Sequence, residues 1–157
     1  MKSRVLWIAL IGLPGVTAVA LAGLVFLSWR RPALGPIHGR LLPCPDSPNC
    51  VSSFAADDVH RIAPLSAEDG TFERLRRFLA SMPGITVIAD EGNYLRAECA
   101  STVLRFVDDL EFLHRPADGV IHVRSASRVG RSDLGANRAR VEEIRRRLQD
   151  SAESFSN

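Results

Sequence analysis

Between positions 124 and 138 the chain sets Arg124, Arg128, Arg131 and Arg138 among Ser125, Ser127, Gly130, Ser132, Gly135 and Asn137. A guanidinium fork matches the paired oxygens of a carboxylate or phosphate, and a helix start offers unpaired N–H groups to the same kind of anion. If this stretch is a strand-to-helix connection, Arg124, Arg128, Arg131, Ser132, Asn137 and Arg138 form a candidate anion site. The competing reading is architectural: Ser132 or Asp133 caps the helix, the glycines shape the turn, and Arg124 and Arg128 pair internally with Asp108, Asp109 or Glu111. A nucleotide phosphate loop is excluded, because no GxxxxGK[ST] pattern occurs.

The supporting acidic cluster is Asp108, Asp109 and Glu111 in the run RFVDDLEF, residues 105 to 112. Together with His122 on a neighbouring strand, Asp108 and Asp109 could supply an acid, a base or a metal ligand for a hydrolase-like reaction. The same residues also suit a solvated ladder of ion pairs across strands. His38, His60 and His114 lie at no metal-ligand spacing, and Ser47, Ser52 and Ser53 sit in no nucleophile elbow. No catalytic residue, metal or cofactor is therefore assigned. A non-catalytic binding module is the leading expectation, and an enzyme using Asp108, Asp109 and His122 the alternative.

Cysteine usage bears on the compartment. In LPCPDSPNCVSS, residues 42 to 53, Cys44 and Cys50 flank a segment stiffened by Pro45 and Pro48. A structural disulfide, which persists in oxidising compartments, is the expected state; a redox pair, free thiols and a metal site are the alternatives. Cys99 alternates with Leu95 and Ala97 and reads as a small buried residue.

The expected compartment agrees with the N-terminus. Val5 to Trp29 carries no charge, with Lys2 and Arg4 before it and Arg30 and Arg31 after it. As a helix it would be about 37 Å long, enough for a ~30 Å hydrocarbon core, so a single-pass signal-anchor contacting lipid through residues 5–29 is expected. A cleaved signal peptide, with Ala20 and Ala22 as the small-residue pair, is the alternative. Charges on the two flanks are balanced and give no orientation; the cysteine pair favours a periplasmic or extracellular domain.

Past the apolar run, residues 30–157 hold 18 arginines and 18 carboxylates. That zero balance disfavours a basic nucleic-acid binder. Phe72, Leu75, Phe78, Leu79 and Met82 recur at helical spacing within Ser66 to Met82, and Pro83 and Gly84 end that helix. Four strand-like runs follow, Ile85 to Asp90, Tyr94 to Ser101, Arg105 to Leu113 and Val120 to Ala126, separated by short polar turns. A last helix is expected to begin near Ser132 or Asp133 and to bury Leu134, Val141, Ile144 and Leu148. The expected fold is thus α+β: a four-stranded antiparallel sheet with two helices on one face and the other face open, preceded by one transmembrane helix. Asp108 shares the parity of Phe106, Leu110 and Phe112, so it either needs an arginine on an apolar face or is turned outward by a bulge.

The cysteine loop, RFVDDLEF and VRSASRVGRSDLGANRARVEEIR at 123 to 145 together resemble the domain of unknown function 1499 family, over roughly residues 41 to 148. The resemblance implies a domain boundary rather than an activity and transfers no catalytic residues. The organisation expected is a membrane anchor at 1–31, a linker and cysteine loop at 32–65, the α+β domain at 66–150 and a tail at 151–157. Its expected partner is an anionic small molecule, a lipid headgroup or an envelope protein.

Overall fold

The computed structural model describes residues 2–153, with side chains placed from 14 to 151. The side chains of Lys2 and Arg4, expected to flank the apolar run, and the last four residues of the tail lie outside what the structure describes. The chain opens with a helix, α1 (Lys2–Ser28). Next come two short strands, β1 (Cys50–Ser52) and β2 (Leu65–Ser66), and a second helix, α2 (Thr71–Ser81). Three longer strands follow, β3 (Ile85–Glu91), β4 (Tyr94–Ala100) and β5 (Val107–Arg115). A single 3-10 turn over Pro116–Asp118 leads to β6 (Val120–Ser127), and α3 (Ala136–Glu153) closes the fold.

The sheet is six-stranded and antiparallel, not four-stranded, in the order β1-β6-β5-β4-β3, with β2 also paired to β6. β1 pairs with Arg124 to Ala126 and β2 with Val120 and Ile121, so the two share one edge of β6 end to end. At three and two residues they are too short to show any alternation. Two helices pack on the sheet and one precedes them, as expected, but the transmembrane expectation is corrected: among the described residues no helix is long and apolar enough to cross a membrane.

α2 and α3 pack on one face of the sheet. Phe72, Leu75 and Leu79 from α2 and Val141, Ile144 and Leu148 from α3 enclose Leu95, Ala97, Leu110, Phe112, Ile121 and Val123. Strand register explains the choice of residues: Leu95 faces Phe112, Ala97 faces Leu110 and Phe112 faces Val123, so one parity is apolar along the middle of the three strands, with Asp108, His114, Ser125 and Ser127 towards its ends. Leu134 does not join this core. It sits in the loop before α3 with a positive φ of 54° and is 97% exposed. Asp133 ends that loop by accepting N–H bonds from Gly135 and Asn137 at 3.0 and 2.8 Å, which starts the helix three residues later than expected.

Asp108 keeps its parity without a bulge, facing Cys99 on one side and Ser127 on the other. The arginine it requires comes from α3, where Arg140 Nη2 reaches Asp108 Oδ2 at 2.7 Å.

The opposite face of the sheet is not open. Chain from Ser28 to about Cys44 runs across it as an arm, and Leu41 packs with Tyr94 and Leu113 in a second small core. Phe54 stacks on His122 with ring centroids 3.9 Å apart, with the guanidinium of Arg40 4.6 Å from its centroid. Cys44 and Cys50 form a disulfide, tying the end of the arm to β1. Residues 32–65 are therefore an integral part of the folded unit, supplying two strands and the cover of one face.

Candidate functional site

On the arm side of the sheet, β4 presents Tyr94, Arg96 and Glu98, β5 presents Asp109 and Glu111, and β6 presents Arg124. Register places Arg96 opposite Glu111, Glu98 opposite Asp109, and Glu111 opposite Arg124. Charges of opposite sign thus alternate across three strands, and they are buried. Glu111 is fully inaccessible and Asp109 is 2% exposed. Buried carboxylates persist only when paired and hydrogen-bonded, and both of these are.

Glu111 accepts the Tyr94 hydroxyl at 2.8 Å on one oxygen and Arg124 Nη1 at 3.0 Å on the other. Asp109 accepts Arg96 Nη2 at 2.8 Å and is gripped on both oxygens by Arg128, from Nε and Nη2, at 2.7 Å each. Arg128 Nη2 also reaches Glu98 at 2.7 Å, and its Nη1 donates to the Ser28 carbonyl at 3.0 Å. Glu98 is held from the far side by Arg31, bidentate at 2.8 and 3.0 Å. One guanidinium, Arg128, therefore joins β4, β5, β6 and the end of α1.

Two pKa shifts follow from this wiring. Hydrogen bonds from Arg31, with those from Arg128, hold the Glu98 carboxyl down at about 2. Burial and the charge of Glu111 push the Tyr94 hydroxyl well above the ordinary phenol range, so it acts as a donor throughout.

The network is not balanced in charge. Arg31, Arg96, Arg124 and Arg128 face Glu98, Asp109 and Glu111, one more guanidinium than carboxylate. The Nε atoms of Arg96 and Arg124 are buried without a hydrogen-bond partner. Beside this cluster lies a cleft of about 340 Å³, walled on one side by Arg124, Arg128 and Asp109 and on the other by Arg30, Arg31 and Leu34 of the arm. Arg30 contributes a second positive charge at the lip. Its guanidinium lies 6.0 Å from the Phe26 ring centroid. Such an arrangement can hold a carboxylate or phosphate against several N–H groups in a partly dry setting.

Of the residues expected to bind an anion, Arg124 and Arg128 meet at this cleft. The other four lie elsewhere. Asn137 is buried in α3, receiving the Ser125 hydroxyl at 2.6 Å and donating to the Asn49 carbonyl at 3.0 Å. Arg138 donates to the carbonyls of Arg61 and Val59 at 2.9 Å each, pinning the chain between β1 and β2. Ser132 accepts the Leu134 N–H at 3.3 Å, and both Ser132 and Arg131 are exposed. Sequence reasoning missed Arg30 and Arg31, because they read as flanking charges of an apolar run. It also missed Arg140, which lies among helix residues of no marked pattern.

Asp108, Asp109 and His122 do not form one cluster. Asp108 faces the helices and Asp109 the arm. His122 stands four residues along β6 from Ala126, the partner of Asp109, a separation of about 13 Å. The imidazole lies within hydrogen-bond distance of Ser53 Oγ, 3.0 Å from Nδ1, and burial lowers its pKa. Ser53 Oγ is itself fixed by the Val123 N–H at 3.0 Å, which makes the pair a clasp between the loop after β1 and β6. Among the described residues no group of three or more His, Cys, Asp or Glu side chains could hold a metal ion.

Comparison with known proteins adds a family. The family model described as "Protein of unknown function (DUF1499)" matches residues 40–148, more than half of the chain, and the chain belongs to that family. No curated protein and no solved structure matches it.

Proposed function

We propose that this member of the family is a non-catalytic module that binds a small anion, through a carboxylate or phosphate group, in the cleft between the arm and the sheet. The observation that supports it is the charge count. Four arginines serve three carboxylates, and Arg30 adds a further positive charge at the lip of the same cleft. The buried guanidinia of Arg96, Arg124 and Arg128 are matched by Asp109, Glu98 and Glu111, so the surplus sits at the open side of the cleft, on Arg31, whose side chain is 62% exposed, and on Arg30, where an incoming anion can reach it. Of the region first expected to bind, the proposal keeps Arg124 and Arg128 and adds Arg30 and Arg31. The same reading assigns the domain to an oxidising compartment outside the cytosol, on the strength of the Cys44–Cys50 disulfide.

Calorimetric titration of the full-length chain, in a non-ionic detergent, with inorganic phosphate and with acetate tests the proposal. Wild type should bind at least one of them at a single site. Arg30→Glu places a carboxylate at the lip and should weaken that binding at least tenfold, while the unfolding midpoint stays within about 1 °C because Arg30 is exposed and makes no ion pair among the described residues. Absence of saturable binding by wild type, or undiminished binding by Arg30→Glu, would sink the reading.

A further inference from the structure

We propose that the end of the molecule formed by the last turns of α1 and the turn between β4 and β5 lies against an anionic lipid surface. It shares Arg30 and Arg31 with the anion cleft but rests on a different observation, and it requires no crossing of the bilayer. It rests on where the exposed apolar side chains are. Val103 is 86% exposed and Leu104 43% in the β4–β5 turn, while Phe26 is 59% exposed and Trp29 56% at the end of α1. Isolated exposed residues of this kind are ordinary, but a contiguous group is not.

The two segments are contiguous although some 75 residues apart in sequence. Trp29 Nε1 donates to the Arg105 carbonyl at 3.1 Å, and the Val107 N–H donates to Ser28 Oγ at 3.2 Å. Those bonds set the turn beside the helix end, so Val103 and Leu104 extend the apolar surface of α1.

Charge complementarity identifies the partner. Residues 14–34 and 101–107 contain Arg30, Arg31 and Arg105 and no carboxylate. Glu98, which reaches Arg31 from β4, is mostly buried and already neutralised. An apolar patch with an indole at its margin and only cations around it matches the layered chemistry of an anionic bilayer: hydrocarbon first, then phosphates. A groove in a protein partner fits less well. Exposed Val16, Val19, Leu21, Leu24 and Phe26 point to every side of α1 rather than along one stripe.

A fluorophore sensitive to polarity, attached at Val103→Cys in the full-length chain, tests the contact. Cys99 is buried and Cys44 and Cys50 are joined, so labelling is selective. Val59, 58% exposed and outside the patch, supplies the control as Val59→Cys. With vesicles of equal phosphatidylglycerol and phosphatidylcholine, emission at 103 should shift to the blue, and lipid-borne nitroxide should quench it at least threefold more than at 59. Vesicles of phosphatidylcholine alone should reduce that quenching at least threefold. If positions 103 and 59 respond alike, the contact does not exist. Equal quenching in the two lipid mixtures would overturn the assignment to an anionic surface.

Discussion

Arg128 is the residue on which the arm-side face depends. Four hydrogen bonds from its guanidinium reach Asp109, Glu98 and the Ser28 carbonyl, a set that only a planar fork can serve together. Arg128→Ala leaves Asp109 buried with Arg96 alone, and breaking a buried pair in this way costs about 3–5 kcal/mol. Urea unfolding should show that loss, and Arg128→Lys should recover less than half of it. Acid sensitivity follows from two other side chains. The Glu98 carboxyl titrates at about 2 in the fold, below its ordinary value, so its contribution is present above about pH 4.5 and is lost as pH falls towards 2. His122 is shifted the same way by burial, so its contribution is full above about pH 6.5 and declines as pH falls through its lowered value. Urea midpoints measured from pH 8 to pH 3 should fall in two limbs. His122→Asn should remove the upper limb and Glu98→Gln should shrink the lower, which Asp133, also held below its ordinary value by the N–H groups of Asn137 and Gly135, shares; a profile unchanged by either would refute the assignment.

The four long strands and the two helices packed on them were legible in the sequence because each carries enough residues for its period to show. Leu95, Ala97 and Cys99, or Phe72, Leu75 and Leu79, announce their faces without help. β1 and β2 were not legible, since they become strands only through the edge that β6 offers. The start of α3 was misjudged for a related reason. Leu134 looks like the first apolar position of the helix, yet the Asp133 carboxylate captures the N–H groups of Gly135 and Asn137 and delays it. Proline spacing around Cys44 and Cys50 pointed to a closed loop, and a disulfide joins them. That bond should contribute about 2 kcal/mol by restraining the unfolded chain. Cys44→Ser with Cys50→Ser should lower the thermal midpoint by several degrees, and dithiothreitol should produce a similar drop in wild type and none in the double variant.

At the scale of the whole molecule, the sheet is a two-sided object with opposite chemistry on its faces. One side is an apolar core under two helices, and the other is a buried lattice of ions closed by the arm. The sequence displayed the charges but not their burial, because the cover comes from residues that read as a linker. Half of the cleft was likewise visible, Arg124 and Arg128 through their clustering, while Arg30 and Arg31 acquire a role only once the arm crosses the sheet. The measurement that tests the account most directly is the thermal midpoint of the full-length chain in rising phosphate and in rising acetate, against chloride at equal ionic strength. Binding at 100 times the dissociation constant adds about 2.7 kcal/mol, which is several degrees for a domain of this size. The account predicts a saturating rise in at least one of the two anions that Arg30→Glu abolishes. Midpoints identical in phosphate, acetate and chloride would contradict it.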